Sequence, residues 1–483
     1  MSERTANKMA INTIWNALER FSQMGIQLVC TFILARFLTP TDFGLLGMII
    51  VFTEISRTLI DSGFTAALIR SKEVTEEDYC SVFYLNITIG AILYIILFLS
   101  TGLIADFYHQ PIFRDMCKVS FLIIPIFSFQ VVHNAIFDRT LQFKKKGLLA
   151  VTASIISSLI AIFLAYRWRN VWALVIQNLS TYLVLTVLYW LFGSWRPKFL
   201  FSWKSISKYF NFSKNLLLSS LIGSVFSNIN ALLIGRFYTP SDLGYYSQAN
   251  RLNMVASNQT TNIIKSVSYP ILSQVNNRGG NLKEGYKKVI KISLLFVGLI
   301  MVMIMAIARD LIVVLMGSEE WRIAGNYLMI LSFCGMLFPL HSINENILRV
   351  TGNSKTLLYL EVCRRLLLLS IIFITVQFSV TIFVLGYAIY SFLLVFLNLH
   401  VCGKPINYSL MEQLIDISPI VLRLLSIIVF ALVLNYVMSD TILWVRMISV
   451  FISSLIFVII LFYSNSSFVE IIGLLRDIVI KKK

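Results

Sequence analysis

Apolar stretches long enough to cross a bilayer recur along the whole chain, separated by short polar segments, and this pattern leaves few folds open. A transmembrane helix needs about 20 consecutive, mostly apolar residues. The stretches reach that length again and again, and they lack the strict apolar/polar alternation of a barrel strand. Composition agrees: 57% of the residues are hydrophobic and 13% charged. Soluble domains carry about a quarter charged residues. The chain therefore reads as an all-α polytopic membrane protein. Its start does not read as a cleavable signal, because the polar Met1–Ala10 stretch precedes a span too long for a signal core and carrying Glu19 and Arg20.

Spans are expected at roughly 11–38, 42–68, 79–106, 115–138, 146–166 and 170–192, then 211–238, 242–272, 286–308, 322–348, 356–378 and 381–402, and finally 417–438 and 442–463. That gives about 14 transmembrane helices, grouped six, six and two. Lysines and arginines sort to one side of this scheme. Lys144–Lys146, Lys198, Lys204, Lys208, Lys283, Lys287, Lys288, Lys291 and Lys481–Lys483 share a face with the N-terminus. The other face has few, among them Arg114, Arg167, Arg309, Arg322 and, at helix ends, Arg36, Arg236 and Arg446. By the positive-inside rule both termini are cytoplasmic. The net charge of +17 is then a topology signal, and no soluble domain is present to carry a nucleic-acid reading. The six cysteines are scattered with no CxxC spacing, so neither disulfides nor a metal site is expected, and nothing points to a cofactor.

Within this series one corner is written twice. Arg36-Phe37-Leu38-Thr39-Pro40-Thr41-Asp42-Phe43-Gly44 returns as Arg236-Phe237-Tyr238-Thr239-Pro240-Ser241-Asp242-Leu243-Gly244. Each copy ends one apolar segment and opens the next. Proline fixes φ and lacks an N–H, and an Asp two residues later sits in a first helical turn near unpaired N–H groups. Weaker echoes support a duplication: Glu77-Asp78-Tyr79 with Glu284-Gly285-Tyr286, and Asn134/Arg139 with Asn344/Arg349. Six spans per copy preserve orientation, so the repeat is parallel, with its pseudo-twofold axis along the membrane normal. The expected organisation is an N-terminal six-helix lobe (1–195), a cytoplasmic linker (196–210), a C-terminal six-helix lobe (211–403), and two further helices with a basic tail (404–483). Pro40, Asp42, Gly44, Pro240, Asp242 and Gly244 are read as structural residues of an outer corner.

Polar residues inside spans mark what faces water or cargo, since lipid-facing positions cannot hold them. Span one has Asn16, Glu19/Arg20 and Gln23 in a stripe; span two has Glu54, Arg57 and Asp61; span seven has Asn228; span eight has Asn250/Arg251, Asn253, Ser257, Thr261 and Lys265. At 1.5 Å per residue, Arg20 lies roughly 15 Å into its span, Arg57 roughly 20 Å and Arg251 about 14 Å. Arg57 has acidic neighbours three and four residues away, whereas Arg251 has none one turn away. The expected cavity set is Arg20, Arg57, Arg251, Asn16, Gln23, Asn228, Asn250 and Lys265, with Glu19, Glu54 and Asp61 as ion-coupling candidates.

The polar first span leading to Gly25, the repeated R-F-[LY]-T-P-[TS]-D-[FL]-G corner and Asp61-Ser62-Gly63-Phe64 resemble the polysaccharide exporters of the multidrug/oligosaccharidyl-lipid/polysaccharide superfamily. The resemblance is closest to O-antigen and colanic-acid-type repeat-unit flippases. It implies a bacterial inner-membrane flippase carrying an undecaprenyl-pyrophosphate-linked oligosaccharide by alternating access. It also implies membrane lipids, a coupling proton or sodium ion and polysaccharide polymerase or assembly proteins as partners. Arginines suit a diphosphate and amides suit sugar hydroxyls. Three other readings stand beside this one. An ion-coupled multidrug exporter would need an acidic, cation-accepting pocket, against which the arginines count. A polytopic enzyme of polysaccharide assembly would need a catalytic loop, and the outer connections are short. A channel would need a repeated filter-like loop, which the sequence lacks.

Overall fold

The computed structural model describes residue 19, residues 21–61 and residues 63–463. Asn16, Arg20 and both chain ends lie outside the described residues. Every regular element among the described residues is helical. The chain divides into two compact units, Met1–Ser247 and Gln248–Lys483. Among the described residues, ten helices are long and apolar enough to cross a membrane, or eleven if Phe113–Ser128 and Val131–Arg139, bent by 42°, form one span. Helices also stand where spans eight and eleven are expected, at Pro240–Asn277 and Ser354–Thr375, but both are too polar to qualify. The first carries the Asn250–Lys265 stripe and the second carries Glu361, Arg364 and Arg365. Among the described residues, length and composition support ten or eleven spans.

The first unit is built from α1 (Phe21–Leu34), α2 (Pro40–Asp61), α3 (Phe64–Arg70), α4 (Glu76–Leu99), α5 (Thr101–Tyr108), α6 (Phe113–Ser120), α7 (Ile123–Ser128), α8 (Val131–Arg139), α9 (Phe143–Trp168), α10 (Trp172–Phe192) and α11 (Trp203–Phe237). The start of α12 (Pro240–Asn277) belongs to it too. Both copies of the repeated corner lie here, and both begin a helix at their proline. In each, the Asp carboxylate reaches back to the threonine before the proline. Asp42 Oδ2 accepts from the Thr39 N–H at 2.9 Å and hydroxyl at 2.8 Å. Asp242 Oδ2 accepts from the same two groups of Thr239 at 3.2 and 2.7 Å. These are half or complete capping boxes, which fix the angle at which each helix starts.

The two corners clasp each other. The Pro240 carbonyl occupies the place a Gly44 side chain would take, and the Pro40 carbonyl occupies that of Gly244. The contact is reciprocal, and each half needs a glycine because any Cβ would overlap a backbone oxygen. Gly235 on α11 extends the close packing to Met48 and Tyr108. Further along the unit, Asp78 at the start of α4 anchors α11 by accepting from Lys208 Nζ at 3.1 Å and the Tyr209 hydroxyl at 2.9 Å. Tyr209 and Asp78 raise the Lys208 ammonium above its ordinary pKa.

The second unit packs α13 (Leu282–Met316) against α14 (Arg322–Ser342), with α15 (Asn344–Val350), α16 (Ser354–Thr375), α17 (Val380–Gly403), α18 (Leu410–Val437) and α19 (Leu443–Tyr463) around them. Its core includes Leu294, Val297, Met301, Leu340, Leu424 and Ile427. Gly298 lets Leu424 of α18 approach the α13 backbone. Charges sit at both ends of α13. At one end Lys287 meets Asp416 at 2.8 Å, Lys291 the same carboxylate at 3.3 Å, and Lys283 Glu412 at 3.1 Å. At the other, Asp310 meets Arg446 of α19. Lys291 and Asp310 are separated by roughly 28 Å of helix, close to the ~30 Å hydrocarbon thickness. The apolar stretch between them fits a membrane interior.

Replacing Gly44 by alanine is expected to destabilise the protein by about 1–3 kcal/mol, despite the better helix propensity of alanine. Gly47→Ala is the control, because its methyl would make only ordinary contacts, 3.4–3.6 Å from Ser247 and Leu243. Thermal unfolding of the detergent-solubilised variants should show a lower Tm for Gly44→Ala alone.

Candidate functional site

Among the described residues, each unit holds a cluster of charged side chains on its helices. In the first unit the 3,4 spacing on α2 puts Glu54, Arg57 and Asp61 on one face. Arg57 Nη1 donates to Glu54 Oε1 at 2.6 Å and to the Tyr182 hydroxyl of α10 at 2.5 Å. The guanidinium also lies over the rings of Phe127, at 4.6 Å, and Tyr182, at 4.7 Å. One arginine thereby joins α2 to α7 and α10. A cation on an aromatic face contributes about 0.5–2 kcal/mol, more when desolvated. Asp61 Oδ1 is buried with no partner among the described residues. Glu19 packs against Gly147 of α9 and accepts from Gln23 Nε2 at 3.5 Å.

On α11 the pattern is different. Lys214, Asn215, Ser219, Ser220 and Ser227 are exposed along a helix that is long and apolar enough to span, and only 6% of its most apolar window is buried. Asn228 is partly satisfied by the helix itself, donating to the Ser224 carbonyl at 2.9 Å. Exposed amides and hydroxyls at membrane depth require water or a polar ligand. Around Gly25 and Gly223 there is open space.

In the second unit α12 carries the stripe expected of span eight. Asn250 and Arg251 are half-buried at its start. Asn253 Oδ1 and Thr261 Oγ1 are buried without partners among the described residues. Lys265, expected as a cavity cation, forms an ion pair with Glu345 of α15 at 3.0 Å. Glu345 is the hub of a larger network. It also accepts from Arg364 Nη1 at 2.7 Å, and Arg349 lies 3.5 Å away. Arg364 donates to Asn398 of α17, Arg365 pairs with Glu361, and Asn346 donates to the Lys265 carbonyl. Glu345 is legible as a polar residue of its span, but it is not in the expected cavity or ion-coupling set. Arg349 is one turn away on the same helix, whereas Lys265 and Arg364 come from other helices, and periodicity within one span carries no trace of those two pairings.

Deleting one partner of a buried ion pair costs about 3–5 kcal/mol, since the other charge is left without compensation. Glu345→Ala is therefore expected to lower the yield and Tm of folded protein sharply. Combining it with Lys265→Met should restore part of the loss, which thermal unfolding of the single and double variants will measure.

The clusters so placed can be compared with known proteins. A family model described as "Polysaccharide biosynthesis protein" matches residues 33–325. The chain belongs to the polysaccharide biosynthesis protein family. A teichuronic acid biosynthesis protein, TuaB of Bacillus subtilis, is 24% identical over 350 residues, 71% of this chain and 72% of that relative. A succinoglycan biosynthesis transport protein, ExoT of Rhizobium meliloti, is 23% identical over 335 residues, covering 69% of this chain and 68% of the relative. Among solved structures, the lipid II flippase MurJ in an inward closed conformation superposes with a TM-score of 0.72 at 14% identity. That likeness covers 93% of this chain and 99% of the flippase, and it establishes the fold. Where the names of these relatives state an activity, it is transport or flipping. The chain is a multi-pass membrane protein of this family.

Proposed function

We propose that this protein moves an undecaprenyl-pyrophosphate-linked oligosaccharide repeat unit across the bacterial inner membrane, by alternating access, for assembly of a surface polysaccharide. The observation that carries this reading is the set of polar and cationic side chains on the apolar segments that flank the two copies of the corner. Such a cargo has a diphosphate, a row of sugar hydroxyls and a long lipid. Arg20, Arg57 and Arg251 suit the diphosphate, and Asn16, Gln23, Asn228 and Asn250 suit the sugars. Lys265 contributes positive potential while paired to Glu345. The lipid stays in the bilayer.

In this proposal fourteen helices form two six-helix lobes, 1–195 and 211–403, joined by a cytoplasmic linker, with two further helices beyond residue 403 and both termini cytoplasmic. The paired Pro/Gly corners stand at the outer end and close that side. Glu19, Glu54 and Asp61 are the groups through which a proton or sodium ion drives the cycle. The membership of a polysaccharide biosynthesis family and the transport activity named for a relative support this over a drug exporter, which has no part in glycan assembly.

Cells lacking the protein should accumulate lipid-linked repeat units on the cytoplasmic side, detectable by mass spectrometry of extracted lipids. An unchanged lipid-linked pool would remove the assignment. In complemented cells the Arg20→Ala/Arg251→Ala variant should insert normally yet export far less glycan, with Arg251→Lys retaining part of the activity because it keeps the charge but not the bidentate geometry.

A further inference from the structure

The end of α13 away from its lysines opens into a cavity of about 360 Å³ lined by residues of α13, α14, α18 and α19 together with Ser439. This is at the small end of ligand sites, which run about 300–1,000 Å³. No residue assigned to the translocation site lines it. Its charged lining consists, among the described residues, of Arg309, Arg322 and Arg446 with one carboxylate, Asp310. We propose that this cavity binds a phosphate ester at the membrane surface.

The arginines exceed what the fold needs. Asp310 is 3% exposed, and Arg446 alone satisfies both of its oxygens, with Nε 2.7 Å from Oδ2 and Nη2 2.5 Å from Oδ1. The remaining Arg446 nitrogen, Nη1, donates to the Ser439 carbonyl at 3.0 Å. Arg446 is thereby a fixed, half-buried wall. Arg322 forks onto Glu319 at 2.7 and 2.9 Å, outside the lining, and its Nη1 points to the cavity side, 3.8 Å from Asp310 Oδ1. Arg309 stands exposed beside it. With Asp310 paired to Arg446 and Glu319 to Arg322, Arg309 leaves a surplus of positive charge in a half-enclosed space, and planar guanidinium groups match phosphate oxygens bidentately.

Two further observations place a phosphate there rather than a deeper or a fully aqueous anion. Basic residues are scarce on this face of the chain, where the lysine-rich loops are absent, so the convergence of three of them is not explained by topology. The rim carries aromatic side chains of the kind that sit among headgroups: Tyr436 lines the cavity and is 83% exposed, and Trp444 nearby in sequence is 54% exposed. Met305, Met329 and Leu432 supply an apolar floor that accepts the carbon atoms next to an ester. The phosphate either belongs to a lipid headgroup of that leaflet or is free in solution.

The test uses the purified full chain in detergent and native mass spectrometry with two probes, dioctanoyl phosphatidylglycerol and inorganic phosphate. Binding to the unaltered protein is expected to weaken on the order of tenfold or more in Arg309→Ala/Arg322→Ala. Neither substitution uncovers Asp310, which keeps Arg446, and an unchanged Tm verifies the fold. Arg309→Gln alone serves if the double variant unfolds, with a smaller loss of the same sign. Loss of phosphatidylglycerol binding without competition by inorganic phosphate assigns the site to a lipid headgroup, and competition by inorganic phosphate assigns it to the free ion. Equal binding by the variant and the unaltered chain, or no binding by either, overturns the proposal. None of these readouts depends on glycan export.

Discussion

A charge inside hydrocarbon has to be compensated where it stands, and this constraint organises the chain more than any single packing contact. Isolated burial of an ammonium or carboxylate carries a penalty of several kcal/mol even after relaxation. Several of the charges on these helices are tied to another helix. Arg57 reaches α10 through Tyr182, and Glu345 gathers Lys265 from α12 and Arg364 from α16. Asp416 collects Lys287 and Lys291 from α13. In a bilayer apolar packing gives helices little preference for one neighbour over another, because lipid tails are as apolar as leucine. These polar contacts supply the missing selectivity and specify which helices adjoin.

Much of the fold was legible from residue order because membrane helices announce themselves by length and apolar content. The corner was legible too, since Thr39, Pro40 and Asp42 carry capping chemistry that depends only on neighbours three residues apart. The two helices that are too polar to qualify as spans were legible as helices with polar stripes, as α12 shows. What stayed hidden was partnership across distance. Lys265 looked like a cavity cation because nothing within a turn of it is acidic; its partner Glu345 is 80 residues away. Arg57 was visible as part of an acidic cluster, yet the aromatic faces of Phe127 and Tyr182 that hold it lie on other helices and follow no sequence period.

The two ends of α13 show how one helix serves two environments. At one end it contributes lysines to carboxylates on α18; at the other it contributes a carboxylate to an arginine on α19. The inversion agrees with the charge bias expected from the sequence, in which lysine is scarce on the side of Asp310, with Lys118 the exception. The cations around Asp310 are arginines, whose weaker hydration and fixed fork suit partly buried sites.

The reciprocal fit of Gly44 on Pro240 and Gly244 on Pro40 has a historical consequence. In a duplicated chain most positions are free to drift apart, because each copy answers to its own surroundings. Here each copy is the surroundings of the other. A side chain gained at one glycine cannot be absorbed by a change in its own copy, since the obstacle is the backbone of its counterpart. Change at this spot is coupled: neither corner can gain a side chain at its glycine unless the backbone of the other gives way.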